Sequence, residues 1–147
     1  MNSTFEEELE RHGSFTFMNV GISMMPLLRQ HKDLFVIAKK NGMRCNKYDA
    51  VLFKRANGQY VLHRILKVRE KDYILCGDHQ FHREYGVTEE QILGVMTKVI
   101  RDGKSIAVTD PLYQWYVHLW CDFFYIRAVI LWIKTVPGRI RRMLERL

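Results

Sequence analysis

Residues 50–68, AVLFKRANGQYVLHRILKV, contain two runs of aliphatic, β-branched and aromatic residues separated by a short polar segment. Runs of this composition and length favour β-strands, so we predict strands at Ala50–Lys54 and Gln59–Val68. The segment between them ends in Asn57-Gly58, and both residues tolerate the positive φ angles of a tight hairpin turn. The stretch therefore predicts an antiparallel hairpin.

Strand patterns continue on both sides of this hairpin. A second hairpin is predicted around Asp102-Gly103, and Thr88–Gln91 has the spacing of a capped helical turn. The remaining predicted strands are Ser14–Ile22, Leu34–Ala38, Tyr73–Cys76, Ile92–Ile100 and Ser105–Val108. These segments predict a mainly β, antiparallel domain over residues 1–110. A short helix, Ser3–His12, capped near Ser3 or Thr4, precedes the strands.

The chain changes character after residue 110, where we predict a helical C-terminal appendage over residues 111–147. Asp110 and Pro111 suit the N-cap and the first position of a helix. The aromatic, mostly apolar segment Leu112–Val136 follows, and Pro137-Gly138 is predicted to break it. A last short helix is then expected at Arg139–Leu147.

Net charge and cysteine content narrow the classes of partner and compartment. The chain has 147 residues and a formal net charge of +7, which favours an anionic partner. No recognised nucleic-acid motif is present, so we expect a membrane surface and not a nucleic acid. Three widely spaced cysteines and an acidic N-terminus predict a reduced, cytoplasmic protein with no signal peptide.

Two residues are candidates for acyl-transfer chemistry. Ser23 lies in Gly21-Ile22-Ser23-Met24-Met25-Pro26, where a serine on a tight turn can be a nucleophile. The backbone amides of Ile22 and Ser23 could then face a developing oxyanion. His63 lies within a predicted strand, and a neutral imidazole held rigidly there can act as the general base.

An acid near His63 could fix its tautomer, and two residues qualify. Asp78 follows Gly77 at the end of a predicted strand, and Glu84 lies six residues further on. Cys76, His79 and His82 also have a spacing that can suit zinc, but no fourth ligand is evident. We therefore predict no metal and no cofactor.

Three of these segments resemble consecutive sequence boxes of the signal peptidase I family. They are Ser23–Leu27 (SMMPL), His63–Ile65 (HRI) and Gly77–Gln80 (GDHQ), in the family's order. Asp49–Phe53 is similar to the family's strand between the first two boxes, and Ile92–Val95 to its closing segment. The resemblance extends roughly from residue 20 to residue 99, which is over half of the chain.

The resemblance implies a serine peptidase with the antiparallel β fold of the signal peptidases and the related repressor peptidases. His63 occupies the base position, as in the branch that resembles the endoplasmic-reticulum enzyme. That branch takes its acid from the third box, so the resemblance favours Asp78. Glu84 falls at a second aspartate position of the family and is the alternative acid.

The sequence departs from the family in two ways. Gly21-Ile22-Ser23 replaces a common Ser-Gly-Ser, which leaves backbone amides as the oxyanion donors. The segment Gly21-Ile22-Ser23-Met24 is closer to the corresponding segment of the self-cleaving repressor peptidases. The 22 residues before Ser23 are, however, too few for the DNA-binding domain of those repressors. The transmembrane helix that usually precedes the serine box in signal peptidases is also not expected here.

The C-terminal segment predicts a membrane-surface helix. Leu112–Val136 is long enough to cross a bilayer, but charged residues such as Asp122 and Arg127 interrupt it. Its aromatic residues and the cationic, amphipathic Arg139–Leu147 suit an anionic lipid surface. The interfacial residues concerned are Trp115, Trp120, Trp132, Ile140, Met143, Leu144 and Leu147.

These observations predict a serine endopeptidase that cleaves a leader or precursor peptide at a membrane to which it binds peripherally. Two alternatives stay open. One is a non-catalytic module of the same fold that grips extended peptides by strand addition. The other is a regulator that cleaves itself, which would fragment at a rate independent of its concentration.

Overall fold

The structure is a computed structural model that describes residues 4–144, apart from the side chains of residues 135, 139, 141 and 144 in the last helix. Three α-helices, a 3₁₀ turn and eight strands are described in this range. In chain order they are α1 (Phe5–His12), β1 (Ser14–Met18), β2 (Leu34–Lys39), β3 (Ala50–Lys54), β4 (Tyr60–Val68), β5 (Tyr73–Cys76), β6 (Glu84–Val87), the 3₁₀ turn (Glu89–Gln91), β7 (Ile92–Arg101), β8 (Lys104–Ala107), α2 (Pro111–Asp122) and α3 (Phe124–Leu144).

The eight strands form one sheet in which every pairing is antiparallel. The order is β1-β2-β7-β3-β4-β5-β6, and β8 pairs with β7. The prediction of a mainly antiparallel β architecture with C-terminal helices is therefore confirmed. Both predicted hairpins are present, because β3 pairs with β4 and β7 pairs with β8. The predicted strands did not include β6.

Hydrophobic side chains cover both faces of the sheet. Along β3, Ala50 and Leu52 belong to one buried cluster, whereas Val51 and Phe53 belong to another. This alternation follows from the pleat, since successive side chains of a strand point to opposite faces. The partner strand β4 is divided in the same way, and this places its neighbouring residues His63 and Arg64 on opposite faces.

The first predicted strand ends earlier than expected. Strand β1 ends at Met18, and the predicted extension to Ile22 is wrong. The Asn19 side chain donates to Gly21 O at 2.8 Å and to Leu28 O at 3.1 Å, so it holds the following residues in a loop. Ser23 therefore lies in a loop beyond the end of β1.

The break between the C-terminal helices is also in a different place. It occurs at Phe123, with a bend of 84°, whereas α3 continues through Pro137, so the predicted break at Pro137-Gly138 is wrong. Cys121 in α2 and Arg127 and Leu131 in α3 are all buried. Both helices therefore pack against the body of the protein, one on each side of the bend.

Among residues 4–144 no single helix is both long and apolar enough to cross a bilayer, although α2 and the first part of α3 meet that criterion together as a bent pair. Part of the amphipathic pattern predicted for the last residues lies outside the residues that the structure describes. The Arg139, Arg141 and Leu144 side chains and residues 145–147, including Arg146 and Leu147, lie outside the described residues.

Candidate active site

The loop that carries Ser23 is anchored by two buried apolar side chains. Met24 and Leu28 are almost fully buried in the larger hydrophobic cluster, and the Leu28 amide donates to Met24 O at 2.9 Å. Ser23 itself is half-buried. Within residues 4–144, Ser23 Oγ and the amides of Ile22 and Ser23 have no hydrogen-bond partner. The predicted oxyanion donors are therefore unoccupied by protein groups.

A second loop, Gly77–Gln80, is in direct contact with the backbone of Ser23. The His79 amide donates a hydrogen bond to Ser23 O at 2.8 Å. A Cβ atom on Gly77 would lie 2.6 Å from the same Ser23 oxygen, which is closer than real Cβ contacts. Glycine is therefore required at position 77 because two backbone segments approach each other there.

His63 lies in the middle of β4 and is buried, with only 2% of its surface exposed. Its Nδ1 atom is 3.0 Å from Glu84 Oε1, although the two atoms are not aligned as a hydrogen bond. Burial lowers the pKa of His63 to about 4, and the nearby Glu84 carboxylate opposes part of that shift. The imidazole is therefore neutral at pH 7, as a general base must be.

The Glu84 carboxylate is also held by the guanidinium of Arg55. Arg55 donates from Nε to Glu84 Oε2 at 3.1 Å and from Nη2 to Glu84 Oε1. Burial opposes ionisation of this carboxyl, but the hydrogen bonds and the charge of Arg55, together with His63 where it is protonated, outweigh it and lower the Glu84 pKa. Glu84 is thus a fixed carboxylate beside the histidine ring. Arg55 lies in the turn between β3 and β4. Sequence analysis did not predict that it belongs to the site, because nothing in the local pattern distinguishes it from another turn residue.

Ser23 and His63 line the same pocket, which has a volume of about 400 Å³. Because Nδ1 of His63 faces Glu84, Nε2 is the ring nitrogen that remains for the pocket. Ser23 and His63 are not hydrogen-bonded to each other. The other lining residues are mostly apolar and include Phe5, Phe17, Met24, Phe35, Leu52, Tyr60 and Leu62. An extended apolar segment could enter such a pocket.

Asp78 is placed away from the histidine. It is completely buried and receives two hydrogen bonds from Arg64, both of 2.8 Å, and one of 3.0 Å from Tyr116. Arg64 follows His63 in β4, so its side chain points to the opposite face of the sheet. The structure therefore brings Glu84 to His63 and brings Asp78 to Arg64.

The Cys76, His79 and His82 segment is not arranged as a metal site. The Cys76 thiol is directed to the carbonyl oxygens of Gln80 and His82, at 3.3 and 3.2 Å, and burial raises its pKa. No group of three or more His, Cys, Asp or Glu side chains in the described part of the chain is placed to hold a metal ion.

Comparisons with protein-family models, with curated proteins and with solved structures found no match to this chain.

Proposed function

We propose that this protein is a serine endopeptidase of the signal peptidase I type. The observation that carries the proposal is the shared pocket of Ser23 and His63, in which a carboxylate lies behind the histidine. A nucleophile, a base and a group that orients the base are the elements of serine-dependent acyl transfer. The three segments that resemble the family's boxes contribute Ser23, His63 and the loop that supports Ser23, whereas Glu84 lies outside them.

The reaction begins when Ser23 Oγ attacks the carbonyl carbon of the scissile peptide bond. His63 Nε2 takes the hydroxyl proton, and the amides of Ile22 and Ser23 donate to the oxyanion. The C–N bond then breaks, and His63 returns the proton to the leaving amine. Water attacks the acyl-enzyme in the second half, its proton passes through His63 back to Ser23 Oγ, and the acid product leaves.

Glu84, and not Asp78, is the acid in this proposal. Its carboxylate is beside His63 Nδ1, where it favours the tautomer with the proton on Nδ1 and stabilises the imidazolium that forms during attack. Asp78 instead neutralises the buried Arg64, with which it forms a structural ion pair. This assignment departs from the acid that the resemblance favours.

The substrate in this proposal is a leader or precursor peptide near an anionic membrane. Large apolar side chains on α2 and α3 are exposed, among them Leu112, Leu119, Ile126, Val129, Trp132 and Ile133. Residues 111–147 contain six cationic and two acidic side chains, a net charge of +4. Apolar and aromatic exposure combined with positive charge suits the surface of an anionic bilayer.

The proposal is tested with an acylating probe for activated serines, read by intact-protein and peptide mass spectrometry. A lipopeptide or β-lactam acylator belongs with the fluorophosphonate, because signal peptidases can resist common serine reagents. We expect one adduct, on Ser23, in the parent protein. Ser23→Ala and His63→Ala should abolish it, whereas the matched controls Ser105→Ala and His12→Ala should keep it. Absence of any adduct from folded parent protein would count against the enzyme.

One observation favours a second candidate function, a peptide-binding module without catalysis. Strand β1 is at the edge of the described sheet, and large apolar residues are exposed at its end, Met18, and in the loop beyond it, Val20 and Ile22. An extended peptide could pair with such an edge. Peptide binding that is unchanged in Ser23→Ala and His63→Ala, together with an unlabelled parent, would select this function.

A further inference from the structure

The C-terminal helices contact the Gly77–Gln80 loop through its backbone. Trp120 of α2 donates from Nε1 to Asp78 O at 2.7 Å. Arg127 of α3 donates from Nη2 to Gly77 O at 3.2 Å and also to Gln80 O. Three of the four carbonyl groups of this loop therefore accept hydrogen bonds from side chains that lie about 40 to 50 residues later in the sequence.

The same loop holds the proposed nucleophile. The remaining residue of the loop, His79, donates its amide to Ser23 O, and Gly77 contacts that oxygen so closely that a Cβ atom would not fit. The Ser23 backbone therefore rests on a loop whose own carbonyls are fixed by α2 and α3. A displacement of this loop would move Ser23 relative to His63, which lies on a different element.

Arg127 holds the loop with a guanidinium group that is buried and only partly hydrogen-bonded. Only 2% of its surface is exposed, and its Nε and Nη1 atoms are buried without a hydrogen-bond partner among the described residues. No carboxylate within residues 4–144 pairs with it, and the Phe124 ring, 4.7 Å from the guanidinium, is its aromatic neighbour. Burial of an arginine without a counter-ion is costly, so the contacts that it makes require an explanation beyond packing.

We propose that Arg127 and Trp120 are positioning residues that set the location of Ser23 through the Gly77–Gln80 loop. The inference rests on the proposed peptidase function and adds that acyl transfer depends on the C-terminal helices. Loss of either contact allows the loop to relax and the His79–Ser23 hydrogen bond to open. Small displacements of a nucleophile can reduce rates by about 100-fold.

The test compares Arg127→Met, Arg127→Lys and Trp120→Phe with the parent and with Arg11→Met, an exposed control arginine on α1. The acylation rate constant and the dissociation constant of the probe are measured separately. We expect Arg127→Met to lower the rate constant by roughly 10- to 100-fold, with little change in probe affinity. Arg127→Lys and Trp120→Phe should lower it less, and Arg11→Met should not lower it.

Hydrogen exchange of the His79 amide provides a readout that is independent of catalysis. Exchange should accelerate in Arg127→Met and Trp120→Phe, while amides in the centre of β4 stay protected, which shows that the fold is retained. Parent-like acylation and His79 protection in both variants would overturn the inference. If the acylating probe did not label the parent protein, the proposed peptidase function would be refuted. The exchange rates of the His79 amide would still decide whether Arg127 and Trp120 position the loop.

Discussion

His63 and Arg64 are neighbours in β4, and because side chains alternate along a strand they reach opposite faces of the sheet. Each side chain lies beside a different carboxylate: His63 contacts Glu84, and Arg64 forms an ion pair with Asp78. Ser23 and His63 were predicted from local sequence as nucleophile and base, and the structure places them in one pocket. The resemblance favoured Asp78 as the acid with Glu84 as the alternative, and local sequence could not show that Glu84 is the carboxylate beside His63, because that contact is a tertiary one between β4 and β6.

Replacement of Glu84 by Gln tests the pairing at this scale. The Glu84 carboxylate raises the His63 pKa against the larger effect of burial, so its removal should move that pKa below its value of about 4. Arg55 would also lose its counter-ion, which acts in the same direction. NMR titration of the His63 ring checks the shift. The acylation rate at pH 7 should fall by at least about tenfold, because the imidazolium loses its partner.

Asp78→Asn is the matched comparison for that experiment. It leaves the buried Arg64 without a charged partner, so the free energy of unfolding should drop by about 3–5 kcal/mol. The His63 titration should move less than in Glu84→Gln, since Asp78 has a smaller effect on it. If Asp78→Asn shifted the His63 pKa more than Glu84→Gln did, the acid would have to be reassigned to Asp78.

At the scale of elements, the hairpin turns were predictable from the sequence, whereas strand β6 and the break between the C-terminal helices were not. The two hairpins follow from Asn57-Gly58 and Asp102-Gly103, which act within a few residues. Strand β6 was missed because it has only four residues and one of them, Gly86, has a positive φ of 73°. The helix break was predicted at Pro137 from local propensity, but α3 continues through Pro137 and the break lies at Phe123, between two helices that both bury side chains on the body of the protein.

The junction of the Ser23 loop with the Gly77–Gln80 loop gives a prediction at this scale. Gly77→Ala places a Cβ atom 2.6 Å from Ser23 O, so the two loops must separate. Such overpacking costs about 1–3 kcal/mol, which urea unfolding can measure, and the Ser23 acylation rate should fall with it. Gly138→Ala is the control, because a Cβ there meets no atom within 4 Å. Unchanged stability and labelling in Gly77→Ala would show that the loops are not held together as described.

At the scale of the whole molecule, α2 and α3 have two distinct faces. One is buried, where Tyr113, Val117 and Cys121 join the main hydrophobic cluster. The other exposes the apolar side chains of α3, beside the exposed Lys134 and Arg142. The inward face contacts the loop that supports Ser23, so the proposed membrane-binding surface and the proposed active site are connected through a single pair of helices.

This arrangement predicts binding to anionic vesicles through the outer face of α3. The parent should cosediment with vesicles that contain phosphatidylglycerol, bind pure phosphatidylcholine more weakly, and dissociate as salt is raised, because screening weakens the attraction of its cationic side chains. The double variant Val129→Glu and Ile133→Glu should lose binding, since it places two carboxylates on the apolar face. Met43→Glu changes a still more exposed apolar residue outside the helices and should bind like the parent. Equal loss in both variants would refute a specific lipid-binding face, and a stable dimer that the double variant disrupts would instead assign this face to a second copy of the chain.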